Sequence, residues 1–333
     1  MPEIKYHWPI VGHENIVHFL EKSISHKKLA HAYIFYGPEH IGKTAVAENF
    51  VASLLCEDAK EKPCQKCIHC QQLAKNIYPD VFRLEKDPED KNIKIEQVRE
   101  LQSRLSLTSF LNSYKIAIIK GAEDLSEEAA DALLKTLEEP SQKTILILLS
   151  TSLYALPLTV ISRCQAVKFL PVSDDKIFHH LVNLGATRQL ADNLSHLAGG
   201  KAGMAINYFQ NPELWKEYEA RANNFFNIIE GGIIDRFQAV GELMPGKKDM
   251  AKTDILVENL EIWQGILRDI LLAKNNNLPF SQNIFFQEKI EKAASHFDNI
   301  KLVSLINKIK DTKRFIGANV DPKLAVENLV MEM

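Results

Sequence analysis

The fold is decided by a stretch near the start of the chain that reads AYIFYGPEHIGKT, residues 32–44. The first part is a short apolar run that ends at Gly37, a pattern that predicts a buried β-strand. The second part matches the phosphate-loop pattern G-x-x-x-x-G-K-[ST]. An apolar stripe follows at Val46, Phe50 and Leu54, and its spacing predicts a helix. The order strand, loop, helix is the context in which this motif binds phosphate.

The residues of the motif are expected to make different contacts with a bound nucleotide. Gly37 and Gly42 let backbone N–H groups turn inward around phosphate oxygens, and the N-terminus of the following helix adds partial positive charge. Lys43 is expected to reach the β- and γ-phosphates, and the hydroxyl of Thr44 is expected to bind Mg²⁺. The loop therefore predicts a site for ATP or ADP with Mg²⁺. The alternative is a glycine-containing turn with a chance lysine.

The residues needed for hydrolysis are missing from the place where they are expected. Such a site needs acidic residues at the end of the third strand, where they hold Mg²⁺ and orient the attacking water. The third predicted strand, residues 116–119, is followed instead by Lys120 and Gly121. Glu123 and Asp124 come later, beyond the predicted strand end. The phosphate loop can therefore hold a nucleotide, whereas the part of the site that catalyses hydrolysis is expected to be missing.

Strand and helix patterns alternate through the first half of the chain and give way to helices in the second. Further strands are predicted at residues 81–84, 116–119, 144–149 and 165–169. Alternation of this kind predicts a parallel α/β sheet. After Pro171 the strand patterns fade. The predicted fold class is α/β plus all-α, with an α/β domain over residues 1–170, a small helical domain over 171–211 and an all-α domain over 212–333.

Four of the five cysteines lie close together in the sequence: Cys56, Cys64, Cys67 and Cys70. Four thiolates satisfy a tetrahedral Zn²⁺ ion and leave no open position, which is typical of a structural site. We therefore predict a structural zinc module over about residues 56–70, with buried free thiols or a redox pair as alternatives. His69 is expected outside the ligand set, and Cys164 is expected to be a small buried apolar residue.

The composition excludes several classes of protein. With 333 residues the chain exceeds the roughly 250–300 residues at which a single core stops growing, so more than one domain is expected. The 40 Lys and Arg residues nearly balance 43 Asp and Glu residues, for a net charge of −3. This balance disfavours unaided nucleic-acid binding through a basic face. No apolar stretch approaches the roughly 20 residues of a membrane span, and no signal pattern begins the chain, so a cytoplasmic protein is expected.

Two further motifs carry a resemblance to a known family. They are LLKTLEEP at residues 133–140 and Ser-Arg-Cys at residues 162–164. With the phosphate loop and the four-cysteine insertion after its helix, they resemble the bacterial clamp-loader subunits of DNA polymerase III, which are AAA+ proteins. The resemblance implies an AAA+ P-loop domain with an inserted zinc module. It also implies a helical lid and a C-terminal helical collar that packs against other subunits.

Within this family the sequence resembles the delta-prime branch more than the motor subunits, tau/gamma. Motor subunits keep Asp-Glu where this chain has Lys120-Gly121, and they place a sensor arginine where this chain has Met204, with Lys201 as an alternative. The resemblance implies a subunit without ATPase activity of its own inside the polymerase holoenzyme. Its implied partners are the delta and tau/gamma subunits, and it would meet the sliding clamp and primer-template DNA through the complex.

Arg163 has two interpretations. From the residues alone it is a structural salt bridge at a helix end. The resemblance implies instead that Arg163 reaches across an interface and stabilises charge on the phosphoryl group in a neighbour's ATP site. Two rival functions stay open. One is a catalytically active motor-type ATPase with relocated acidic residues, and the other is a zinc-bearing nucleic-acid-binding protein that acts alone.

Overall fold

The structure is a computed structural model that describes residues 4–87, 89–109, 113–243, 250–318 and 320–333. The chain divides into two compact units. The first comprises Met1–Lys176 with Gly200–Met204, and the second comprises Ile177–Gly199 with Ala205–Met333. The division into three domains with the boundaries given above stays a prediction. None of the helices in the described ranges is long and apolar enough to span a bilayer.

The first unit is built on a parallel sheet. The strands are β1 (Lys5–Tyr6), β2 (Ala32–Tyr36), β3 (Glu61–Lys62), β4 (Val81–Leu84), β5 (Lys115–Lys120), β6 (Thr144–Ser150) and β7 (Gln165–Lys168). The main sheet has the order β4-β5-β6-β2-β7, and all of its pairs are parallel. Strand β2 therefore lies inside the sheet, where Ile34 is level with Leu148 of β6 and Ala166 of β7. Strands β1 and β3 form a separate parallel pair.

Helices cover both faces of this sheet. They are α1 (Glu14–Ser25), α2 (Lys43–Leu55), α3 (Ile68–Ala74), α4 (Ile95–Ser106), α5 (Glu127–Glu138) and α6 (Leu158–Ile161). Successive side chains of a strand point to opposite faces. Tyr33 and Phe35 accordingly share a core with Phe50 of α2, whereas Ile34 lies in a second core with Leu133 of α5. Strands buried on both faces read as continuous apolar runs, and this explains why they could be recognised in the sequence.

In the sequence, Ser126 as a helix cap and Pro140 as a helix breaker predict where the helix that carries the LLKTLEEP motif begins and ends, and the structure has both ends. Ser126 caps it, since the Ser126 hydroxyl accepts a hydrogen bond from the Ala129 N–H at 3.2 Å. Glu127 and Glu128 occupy the first turn, where carboxylates interact favourably with the helix dipole. The helix ends at Glu138, before Pro140, whose ring disfavours helical backbone in the preceding residue. The predicted cap and the predicted stop are therefore both confirmed.

The rest of the chain is helical. The helices are α7 (Asp174–Asn183), α8 (Arg188–Ala198), α9 (Ala202–Gln210), α10 (Pro212–Glu230), α11 (Ile233–Leu243), α12 (Met250–Lys274), α13 (Gln287–His296), α14 (Asn299–Gly317) and α15 (Pro322–Val330). In the core of the second unit, the ring of Trp263 lies 5.3 Å from that of Phe225. No strand occurs after Lys168 in the ranges that the structure covers. The predicted fold class, an α/β domain with a parallel sheet plus an all-α region, is confirmed.

A buried carboxylate organises one side of the second unit. Asp269 of α12 is fully buried, and its carboxylate accepts hydrogen bonds from the Asn283 backbone N–H and the Asn283 side-chain amide, each at 2.8 Å. The side-chain amide oxygen Oδ1 of Asn283 accepts in turn from the Tyr218 hydroxyl at 2.6 Å. Burial raises the pKa of Asp269, although these hydrogen bonds oppose the shift. The network fixes the loop around Asn283 against α10 and α12.

We predict that Asp269→Ala lowers the free energy of unfolding of the second unit by about 2–4 kcal/mol, because the buried Asn283 donors lose their acceptor. Glu261→Ala on the exposed side of the same helix is the matched control, with an expected change of at most about 0.5 kcal/mol. Urea unfolding followed by tryptophan fluorescence measures both variants. Equal losses would show that the network does not stabilise this unit.

Candidate functional site

The phosphate loop lies where the sequence places it, between β2 and α2. Gly37 follows β2 directly and has a φ of 147°; a Cβ atom at this position would lie 2.6 Å from the Phe169 carbonyl oxygen. Gly42 precedes α2 with a φ of 112°. Both conformations favour glycine over residues with a side chain. Gly37 is therefore required by its close approach to the Phe169 backbone, and both glycines are required by the positive φ angles of the loop.

The loop borders a cavity of about 740 Å³, which lies within the range of small-molecule sites. The ends of neighbouring parallel strands supply the opposite wall, as expected where the carboxyl ends of such strands meet. The charged and polar residues that line it are Glu39, His40, Lys43, Thr44, Lys86, Lys120, Glu123, Asp124, Ser150 and Thr151. The predicted binding residues Lys43 and Thr44 thus face a cavity of nucleotide size.

The lysines of the cavity are all engaged. Lys43 Nζ donates to the carbonyl oxygens of Gly37 at 2.5 Å and Pro38 at 2.6 Å. Burial lowers the pKa of Lys43, and the charges of Glu123 and Glu39 oppose this shift. Two ion pairs bind the other lysines: Lys120 Nζ lies 3.1 Å from Glu85 Oε2, and Lys86 Nζ lies 3.5 Å from Asp124 Oδ2. At the end of β5, the cavity therefore presents an ammonium group where Mg²⁺ chemistry needs a carboxylate.

Sequence reasoning missed that the chain turns back after β5. A 3₁₀ turn, Ala122–Asp124, follows the strand and returns Glu123 to the cavity that Lys43 lines. Glu123 Oε1 accepts a hydrogen bond from the Thr151 N–H at 2.9 Å, while Oε2 is buried without a partner in the described part of the chain. Gly121, with its φ of 63°, is the signal that could have indicated this turn.

Glu123 is ionised in this setting. Burial acts to raise the pKa of Glu123, but hydrogen bonds from Thr151 and from the backbone outweigh it and hold the pKa below its usual value. Glu123 therefore adds an ionised carboxylate to the cavity and, like Glu39, interacts electrostatically with Lys43. Glu123 thus brings an acidic residue to the cavity, although in the sequence it lies beyond the predicted end of the strand.

The first turn of α9, in the glycine-rich stretch of residues 199–203, lies against the phosphate loop. The Gly203 N–H donates to the His40 carbonyl oxygen at 2.8 Å, and a Cβ atom at Gly203 would lie 2.7 Å from that oxygen. Gly203 lines the cavity, whereas Met204 and Lys201 do not. The start of α9 thus reaches the cavity through Gly203. Among the lining residues that the structure describes, no arginine is present to meet a γ-phosphate.

The four clustered cysteines come together in space. The sulfur atoms of Cys56, Cys64, Cys67 and Cys70 all lie within 4.8 Å of one another, close to the roughly 3.8 Å separation that tetrahedral Zn–S bonds of about 2.3 Å impose. The backbone N–H of Cys67 donates to the Cys64 sulfur at 3.3 Å. This hydrogen bond is the largest of the contributions that lower the pKa of Cys64 to about 7. A lower pKa favours the thiolate, which is the form that binds metal. The cluster can hold a metal ion.

His69 and Cys164, the other metal-binding residue types considered in the sequence, do not belong to the set of four clustered thiols. His69 Nε2 lies 2.8 Å from Glu57 Oε1, and Nδ1 lies 2.9 Å from the Tyr78 hydroxyl. Both ring nitrogens are therefore engaged outside the set of thiols, as expected. Cys164 is remote from the cluster in sequence, and burial raises the pKa of Cys164 to about 12. Its thiol is accordingly unreactive.

Arg163 lies at another edge of the first unit, just after α6. Arg163 Nη2 donates to Glu138 Oε1 at 2.6 Å, and Nη1 donates to the Thr159 carbonyl oxygen at 2.9 Å. The side chain is 35% exposed. Nearby on the same segment, Tyr154 is 97% and Leu158 is 82% exposed. The salt bridge expected from the residues alone is present, and the partly exposed Arg163 side chain belongs to a segment that also exposes large apolar side chains, which are typical of a protein interface.

Comparison with known proteins identifies relatives of both units. Residues 12–173 match the family described as "DNA polymerase III, delta subunit". The delta-prime subunit of DNA polymerase III from Bacillus subtilis is 26% identical over 320 residues, which cover 95% of this chain and 94% of that one. The delta-prime subunit from Pseudomonas aeruginosa is 44% identical over 136 residues, which cover 40% of this chain and 42% of the relative.

A motor-type subunit is similar over a shorter region. The tau subunit of DNA polymerase III from Bacillus subtilis is 34% identical over 182 residues, which cover 54% of this chain and 32% of tau. The chain thus spans about a third of the length of tau and nearly all of the Bacillus delta-prime subunit. Residues 12–173 therefore match the model of the DNA polymerase III delta family, and the chain as a whole is similar to the delta-prime subunit of Bacillus subtilis.

Proposed function

We propose that this chain is a delta-prime-like subunit of a bacterial DNA polymerase III clamp loader, which helps to place the sliding clamp on primed DNA. One observation carries the distinction from a motor subunit. The end of β5 presents Lys120 and Gly121 instead of acidic residues, and Lys120 is held in an ion pair with Glu85. A lysine cannot ligate Mg²⁺, and glycine cannot orient water. The chain acts as a scaffold and hydrolyses no ATP itself.

In this proposal Arg163 acts on a neighbour's nucleotide. Its side chain is partly exposed and lies on the segment that also exposes Tyr154 and Leu158. A guanidinium that enters a neighbouring ATP site stabilises the charge that develops on the transferred phosphoryl group. The partners are therefore the tau/gamma and delta subunits, and the sliding clamp and primer-template DNA are reached through the assembled complex.

The helical unit offers surfaces for that assembly. Several large apolar side chains remain exposed on it, among them Ile234 at 70%, Ile300 at 84% and Leu324 at 65%. Exposed apolar side chains of this size mark interfaces when they form a patch. In the proposal these helices form the collar, which packs against the corresponding helices of other subunits and carries most of the interface area.

The cysteine cluster holds a structural Zn²⁺ ion in this proposal. Four thiolates close the coordination sphere, so no position is left for a water or a substrate. The parallel pair of β1 and β3 joins residues 5–6 to the module at Glu61 and Lys62. The ion therefore fixes a local insertion, and the helical unit folds independently of it.

One observation favours a second function, a motor-type ATPase. Glu123 presents a buried, unpartnered carboxylate oxygen in the cavity that Lys43 and Thr44 line. If a nucleotide brought Mg²⁺ into this cavity, the Thr44 hydroxyl and the Glu123 carboxylate would be the residues to hold it, and the metal would supply charge neutralisation at the phosphates. Turnover by the isolated chain separates the two functions.

We predict one zinc ion per chain in protein purified without chelator, measured by elemental analysis. Cys67→Ser is expected to lose the ion and to expose residues 56–70 to protease, while the helical unit stays folded. Cys164→Ser is the matched control and is expected to retain the ion. A metal-free chain that is fully folded would contradict the proposal.

We predict that the isolated chain binds ATP weakly or undetectably and releases phosphate at the background rate. The reason is that Lys120 and Gly121 stand where the acidic residues are needed. Lys43→Ala is therefore expected to leave the rate unchanged. Phosphate release that depends on Lys43 and is abolished by Glu123→Gln would establish the motor-type function instead.

We predict that Arg163→Ala leaves folding and assembly intact but lowers ATP turnover at the facing site by at least about tenfold, because arginine fingers contribute large rate factors. Arg163→Lys is expected to restore little, since an ammonium lacks the planar fork that spans two phosphate oxygens. Clamp-dependent ATPase of complexes matched for assembly is the measurement, with Arg99→Ala on α4 as the control. Equal rates for Arg163→Ala and wild type would reduce Arg163 to a structural residue.

A further inference from the structure

The Arg163 guanidinium is fixed by groups from two elements. Nη2 donates to the carboxylate of Glu138, the last residue of α5, at 2.6 Å. Nη1 donates to the Thr159 carbonyl oxygen at 2.9 Å and to the Ser162 hydroxyl at 3.2 Å. A long, flexible side chain is thereby held in one orientation at the surface.

This pair is too exposed to matter much for folding. The side chain of Arg163 is 35% exposed and that of Glu138 is 51% exposed, and ion pairs of this kind contribute little to stability. The carboxylate nevertheless removes rotamer freedom from an arginine, which loses much entropy when it is immobilised. The effect of the pair is therefore on orientation.

The orientation leaves the guanidinium able to bind a further anion. Arginine has five N–H donors in a planar fork, and Nε donates to none of the three groups that hold Nη1 and Nη2. A side chain that is already ordered before it meets an anion forfeits less entropy on binding than a free one. A charged group that is already in position does not have to rearrange during the reaction, and the activation barrier is lower for that reason.

We propose that Glu138 is a positioning residue for Arg163, which holds the guanidinium ready for the phosphates of a nucleotide bound to a neighbouring subunit. This inference rests on the proposed function of Arg163 in trans. Glu138 itself touches no nucleotide in this account and acts only through Arg163. In this proposal the Glu-Glu-Pro end of the LLKTLEEP motif does more than end the helix, because its first glutamate, Glu138, also orients Arg163.

The chain offers a matched control in the next residue. Glu139 is exposed like Glu138, but its side chain takes part in none of the hydrogen bonds or ion pairs of Arg163. Glu138→Gln and Glu139→Gln remove the same charge from neighbouring positions at the same helix end. A general electrostatic effect changes both variants equally, whereas a positioning effect changes only Glu138→Gln.

The experiment measures kcat and KM for ATP in complexes of the full chain with the tau/gamma and delta subunits of its organism, at equal assembly. Glu138→Gln is expected to lower kcat about two- to fivefold with KM unchanged, in proportion to the strength of an exposed pair. Glu139→Gln is expected to match wild type. The double variant Glu138→Gln/Arg163→Ala is expected to equal Arg163→Ala alone, because residues that act through one another are not additive.

Each outcome decides a different claim. A normal rate for Arg163→Ala overturns the proposed function of Arg163, and this inference with it. A slow Arg163→Ala complex beside a normal or faster Glu138→Gln complex overturns the inference alone. Losses that add in the double variant also overturn it, since Glu138 would then act independently of Arg163.

Discussion

The parallel pairing of β2 with β6 on one side and β7 on the other is the constraint on which the rest of the first unit depends. Because every strand of the sheet runs in one direction, the residues that follow the strands meet along one edge. Glu39 in the loop after β2, Lys86 near the end of β4, Lys120 at the end of β5 and Thr151 after β6 accordingly line one cavity. A one-residue slip of β2 would turn its side chains to the wrong faces and displace the phosphate loop.

The charges along that edge support the proposal that the chain has a phosphate loop but does not hydrolyse ATP. Lys120 and Lys86 are each balanced by a carboxylate, Glu85 and Asp124 respectively. A cavity whose cations are already paired attracts a phosphate chain less strongly than one with free cations, because opposite charges nearby screen the field. The proposed chemistry of the chain lies instead at Arg163, outside this cavity, where Glu138 at the end of α5 holds the guanidinium.

Much of the fold could be predicted because its signals are local. Residues 32–36 and 81–84 were predicted with their observed bounds, since these strands are short apolar runs with clear ends. The two-residue strands β1 and β3 were missed, because two residues carry no periodicity. Helix α1 was missed as well; it starts after His13, which has a left-handed backbone and makes no side-chain cap, so the usual start signal is absent.

The site was predicted less completely, because its decisive contacts join distant positions. The four cysteines and the phosphate loop were found from their spacing. The return of Glu123 to the cavity depends on a turn, and its bond to Thr151 crosses 28 positions. The pair of Arg163 and Glu138 crosses 25 positions. The measurement that tests the central claim most directly is a cryo-EM structure of the assembled complex with a non-hydrolysable ATP analogue. The account predicts the Arg163 guanidinium within about 3 Å of a phosphate oxygen bound to the neighbouring subunit; Arg163 remote from any nucleotide, with the analogue and Mg²⁺ held by Thr44 and Glu123 of this chain, would contradict it.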